Sequence, residues 1–259
     1  TRLAALTSTE VGALTATQFA ALTTAQFAAL STTQIGGLDR SDMVALSAEQ
    51  LGALTSTQIG SITITGLTGL STTDIAGLGV EQIAGLNANQ MVSLSSTQAT
   101  ALTTTQLASM TTTQIRGLSA SAVAVLTDTQ IDALSTTQIA AISARQLVGL
   151  TADLLSGFDT TQLGALTSTA LTGLSAAQLD QLTTTRFATL SATQFLGFTS
   201  TQIATLDADH VAALTSEQVG ALTSTQLSGL RSTQMAAMAS TQIAALSVTQ
   251  MAALPSLAV

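Results

Sequence analysis

Apolar residues recur along this chain at alternating spacings of three and five. Cut at Thr7, the sequence falls into octads, TSTEVGAL, TATQFAAL, TTAQFAAL, STTQIGGL and onward to SVTQMAAL ending at Leu254, 31 of them in one phase without insertion or deletion. With the octad positions labelled one to eight, position eight is apolar in all 31 and Leu in 25. Position five is a large aliphatic residue, Met or Phe in 30 octads, Ala99 being the exception. A continuous helix advances about 100° per residue, so an eight-residue period would rotate the apolar positions by roughly 80° each time and no fixed buried stripe would form. Strand pairing would want alternation of period two, and Gln, Ala and Leu form helices better than strands.

The polar positions say where each helix begins. Position one is Ser or Thr in 24 octads and Asp or Asn in four more, and position four is Gln in 22 and Glu10 in another. This is the capping box: the position-one side chain accepts from the N–H three residues on, and the Gln or Glu reaches back to the position-one N–H. Each octad therefore starts a new helix of about one and a half turns. Helices this short do not persist alone in water, because nucleation is costly and few internal bonds offset it. Stacking must hold them, which predicts an all-α solenoid with positions five and eight inward, small residues at six and seven between neighbours, and positions one to three in solvent.

Position-seven glycines recur at residues 37, 77, 117, 157 and 197, a spacing of 40, and Gly69, Gly149 and Gly229 lie 80 apart. The pairs Gly157-Phe158 and Gly197-Phe198 follow the same interval, as if a small residue made room for a large one. The spacing predicts five octads per coil, with duplication of 40-residue blocks as the alternative origin. Residues 1–6, TRLAAL, are a partial octad; 7–254 form the array, expected as a single solenoid; 255–259 form a C-terminal end in which Pro255 replaces the next cap.

Composition narrows the function classes. Hydrophobic residues make up 46% but aromatic ones only 2%, so the core is thin and aliphatic. Charged residues are 8%, against about 25% in typical domains, which leaves solubility to hydroxyls and amides. The net charge of −8, with all six cations Arg, offers no polycationic face for nucleic acid or for an anionic membrane. No apolar run approaches the roughly 20 residues needed to cross a bilayer. With no Cys, disulfides and thiolate chemistry are excluded.

A site would show as a departure from the repeat. His210 replaces the capping Gln between Asp207, Asp209 and Val211, a poor zinc set, and reads as an exposed substitute at a tolerant cap. Asp39, Arg40 and Asp42 offer hard oxygens for calcium but no Gly-bearing Asp loop; Asp39 reads as an N-cap with Arg40 as its ion-pair partner. No base stands beside a distinctive Ser, and no phosphate loop occurs. The six Phe all lie at positions five or eight and read as core. No catalytic, cofactor-binding or metal residue is therefore expected, and no cofactor, enzyme activity or small-molecule substrate. One surface feature supports a rival reading: the Thr hydroxyls and methyls at positions one to three could present a face to carbohydrate or ice.

The tandem motif [ST]-[ST]-T-Q-[IL]-x-A-L over residues 7–254 resembles the octapeptide-repeat stretches of very large bacterial secreted or surface proteins of adhesin-like kind. The resemblance implies a bacterial, extracellular, structural setting: a rigid rod, stalk or filament. The partners expected with it are a larger parent chain or further copies joined end to end.

Overall fold

The computed structural model describes residues 2–255; the C-terminal end expected at 255–259 falls, past Pro255, outside the described residues. It is all-helical, with a 3-10 turn at Arg2–Ala5 followed by 31 α-helices from Ser8–Gly12 to Val248–Ala253, one per octad, and no strand among the described residues. The chain divides into two compact units, Thr1–Gln138 and Ile139–Val259, each described by itself.

The capping chemistry sets each helix start. At Thr103 the backbone is extended (φ −73°, ψ 157°), its side chain accepts from the Gln106 N–H at 3.1 Å, and the Thr103 N–H donates to Gln106 Oε1 at 2.8 Å. Two of the N–H groups a helix start leaves orphaned are thus satisfied within four residues. Gly79, Arg231 and Ala239 supply no side-chain acceptor, yet helices still begin there, held by the other half of the box: each N–H donates to the Gln three residues on. Helix ends need no glycine. In octads such as 71–78 position eight turns extended (Leu78, φ −63°, ψ 133°), and the extended cap of the next octad completes a two-residue corner. No residue has positive φ among those described.

In both units helices pack against the helix three octads away, for example Ser56–Ser61 on Val80–Gly85 and Ala152–Gly157 on Ala176–Gln181. Position five is fully buried from Val11 to Leu227, position eight lines the same interior, and all six Phe are buried. In the second unit Phe187 stands edge-on to Phe195 with centroids 5.2 Å apart, and Phe198 lies 5.8 Å from Phe187.

The expected five-octad coil is corrected. Helices meet at three octads, and side-chain hydrogen bonds join residues 28 and 31 apart, so a coil closes in about 28 residues, three and a half octads. The glycines mark contacts 29 residues apart, not a 40-residue turn. A Cβ on Gly37 would meet the Ser8 carbonyl at 2.5 Å, one on Gly229 the Ser200 carbonyl at 2.6 Å, and one on Gly197 would run into Ser168, whereas Gly77 has open space. Gly197 therefore makes room for passing backbone and not for Phe198.

Candidate functional site

The most organised polar feature of the molecule is the position-four glutamine. A carboxamide carries one acceptor oxygen and two donor hydrogens, and this chain uses all of them. Gln90 is 1% exposed; its Oε1 accepts from the Asn87 N–H at 2.8 Å, while Nε2 donates to the carbonyls of Ile59 at 2.8 Å and Ile62 at 2.9 Å. Gln50, Gln82 and Gln114 repeat this in the first unit, and Gln178, Gln202 and Gln226 in the second. In every case the accepting residues occupy positions five and eight of the octad four back. One side chain thus caps its own helix and bridges to the preceding coil, satisfying a last-turn carbonyl that the short helix leaves orphaned.

This bridge was missed from sequence, though a signal was present. A capping box takes Glu as readily as Gln, yet Gln outnumbers Glu by 22 to one at position four. The exception is in the first octad: Glu10 is exposed, accepts from the Thr7 N–H at 2.8 Å, and is held below the usual carboxylate range chiefly by that bond. Gln18 and Gln26, also exposed, make only the capping bonds among the described residues.

The departures from Gln fall into three kinds. Asp42 and Asp74 keep the cap, accepting from the Asp39 and Ser71 N–H groups at 2.9 and 2.8 Å, but have no proton to donate across the coil. Asp42 is buried, and desolvation pushes its carboxyl above the ordinary aspartate value. Gly66, Ala122, Leu154, Ala170 and Arg186 make neither bond of the amide among the described residues. His210 substitutes for it.

The reading of His210 as exposed is corrected: it is 5% exposed. Its Nε2 lies 2.6 Å from the Leu182 carbonyl 28 residues earlier, so the ring makes the bridge a Gln would make. Its Nδ1 lies 2.7 Å from Asp207 Oδ1, which also accepts from the His210 backbone N–H at 2.7 Å. The latter bond is the largest cause holding Asp207 below its ordinary value. The ring stands perpendicular to Phe187 at 5.3 Å. Burial arises because position four faces the previous coil, which a cap assignment alone does not reveal.

Asp39 is an N-cap, accepting from Ser41 and Asp42 N–H groups at 2.7 and 3.1 Å, with its carboxyl held down chiefly by the Ser41 hydroxyl. Arg40 is exposed and enters no salt bridge among the described residues. No three His, Asp or Glu side chains converge on one point among the described residues. No described helix is long and apolar enough to cross a membrane. Hydroxyls at position seven turn inward to their own helices, as Ser93 does to the Gln90 carbonyl at 2.8 Å, while at position two Ser96 and Ser216 donate to the Ser121 and Thr241 carbonyls of a neighbouring coil.

No curated protein matches the chain. The family model described as the ALTTAQ repeat matches residues 3–40 and 101–136, and its six letters read directly at residues 21–26. The chain is a repeat protein of short helices similar, in these two stretches, to that repeat.

Proposed function

We propose that this chain is a structural spacer: a segment of a rigid rod, stalk or filament on the outside of a bacterium, without catalytic activity. The observation that carries the reading is the amide bridge, because in most octads the one side chain with polar capacity to spare is committed to joining coil to coil. A repeat built this way gains length one octad at a time without altering any contact already made, which suits a spacer and gives no octad a distinct chemistry. The extracellular setting rests on the octapeptide-repeat resemblance and on a chain free of cysteine. Self-association end to end, or continuation in a longer chain, belongs to the same reading. The Nε2 groups of Gln18 and Gln26 make no bridge, and a further coil from either source would accept them.

Electron microscopy of the purified chain tests the proposal. Uniform narrow rods, whose length grows in proportion when octads are added, are expected. Compact particles of fixed size would contradict it, and so would retention on a glycan array or inhibition of ice recrystallisation, which would favour the Thr-rich face as a binding surface.

A further inference from the structure

Beyond the first octad with its Glu10, the position-four amide of the first unit is missing at four octads, and the coil responds in two ways. At Gly66 the gap is closed: a Cβ there would meet the Leu38 carbonyl at 3.1 Å, and Thr63 Oγ1 donates to that same carbonyl at 3.4 Å. At Asp42, Asp74 and Ala122 nothing replaces the bridge, and the carbonyls 28 residues earlier, those of Leu14, Leu46 and Leu94, have no donor among the described residues. Two of these octads are also loose at their last turn. The bond from the position-eight N–H to the position-five carbonyl is 3.4 Å at Leu46 and at Leu94, and 3.0–3.3 Å in the other octads for which it is described.

The three junctions share one side of the coil. With three and a half octads per coil, each octad turns the chain by about 103°. The octad 71–78 lies four octads beyond 39–46, about 51° past one full coil. The octad 119–126 lies ten beyond, about 51° short of three. All three thus fall within an arc of about 100°, where only Gln98 and Gln130 keep their bridges, while Gln58, Gln82 and Gln114, which keep both kinds of bond, lie on the opposite side, where no amide is missing.

We infer that the first unit opens preferentially at the Asp42, Asp74 and Ala122 junctions on this side, coil parting from coil there while Gln98, Gln130 and the amides opposite hold. Local stability follows the number of bonds a segment must break to open. Two amide bonds fewer lower the cost of opening enough to raise the open population by about tenfold or more. In a spacer, these are the points at which load first lengthens the coil.

Amide hydrogen exchange on the full 259-residue chain, read residue by residue by NMR, tests the inference. Protection factors at Leu46 and Leu94 are expected to be about tenfold or more below those at Leu54 and Leu86, whose octads are bridged by Gln82 and Gln114. Ala122→Gln, which restores the bridge to Met91 and Leu94, should raise protection at Leu94 by about tenfold and leave Leu46 unchanged; Asp74→Gln should do the reverse. Equal protection at all four leucines in the unmodified chain overturns the inference. So does a folded Ala122→Gln or Asp74→Gln protein in which the matching leucine gains nothing.

Discussion

Replacing Gln90 by Ala tests the bridge at its best-formed point. The substitution removes the acceptor for the Asn87 N–H and both donors to the Ile59 and Ile62 carbonyls. At about 0.5–1.5 kcal/mol net per bond, with the stranded groups buried, the loss is about 2–4 kcal/mol, and the vacated volume adds to it. Gln18→Ala is the internal control, since Gln18 is exposed and makes only the cap bonds, so about 1 kcal/mol is expected. Gln90→Glu is the sharper variant. Its carboxylate still accepts from Asn87 but turns a lone pair toward two carbonyl oxygens, so at neutral pH it should cost more than Ala. Burial among acceptors raises the folded-state pKa of the new carboxyl. The penalty is therefore full above that raised value and is relieved as pH falls toward the unfolded-state value of about 4.3. Urea unfolding followed by circular dichroism at 222 nm, at pH 7 and pH 4, gives the comparison. Equal midpoints for Gln90→Ala and Gln18→Ala, or a Gln90→Glu protein as stable as the parent at pH 7, would refute the reasoning.

Other substitutions separate the remaining forces. Gly85→Ala should lower the midpoint sharply, because its Cβ would run into the Ser56 backbone, whereas Gly52→Ala, with open space around it, should raise stability by about 0.5–1 kcal/mol through helix propensity; thermal melts of the pair decide. Asp42→Asn should stabilise the chain at neutral pH and lose that advantage on acidification. The raised folded-state pKa of Asp42 makes its ionised form a cost that fades as pH falls through the unfolded-state value, and a melting series from pH 7 to pH 3 tests the sign. His210→Gln should be nearly neutral and His210→Ala destabilising by about 1–3 kcal/mol, a difference that would vanish if the Nε2 bond to Leu182 did not form. Deleting residues 87–94 should leave a cooperative melt close to the parent's, since a whole octad restores the same donors and acceptors, while deleting 91–94 alone breaks phase and should abolish it.

The helices and their starts were legible because their causes are local: a hydroxyl at position one and an amide three residues on are all that a capping box requires. The buried face was legible too, since positions five and eight are apolar almost without exception. The coil was not. Its size depends on which distant octads meet, and the position-seven glycines gave a false interval because each answers to one passing backbone, as Gly37 does to Ser8, and not to the period of the turn. The second task of position four was hidden for a related reason. The cap fully explained a polar residue there, and only the near exclusion of Glu, which has no N–H to donate across the coil, marked it as more. His210 followed the same error, its imidazole reaching Leu182 from a position that the cap alone would have left in water.

The amide bridge itself can be observed in solution. With glutamine side chains labelled with nitrogen-15, the Nε2 protons of Gln90, Gln114 and Gln226 should show nuclear Overhauser contacts to residues 28 and 31 earlier: Ile62 and Ile59, Leu86 and Ile83, Phe198 and Phe195. Contacts confined to each octad, or contacts to residues 40 earlier, would contradict a coil of three and a half octads closed by glutamine.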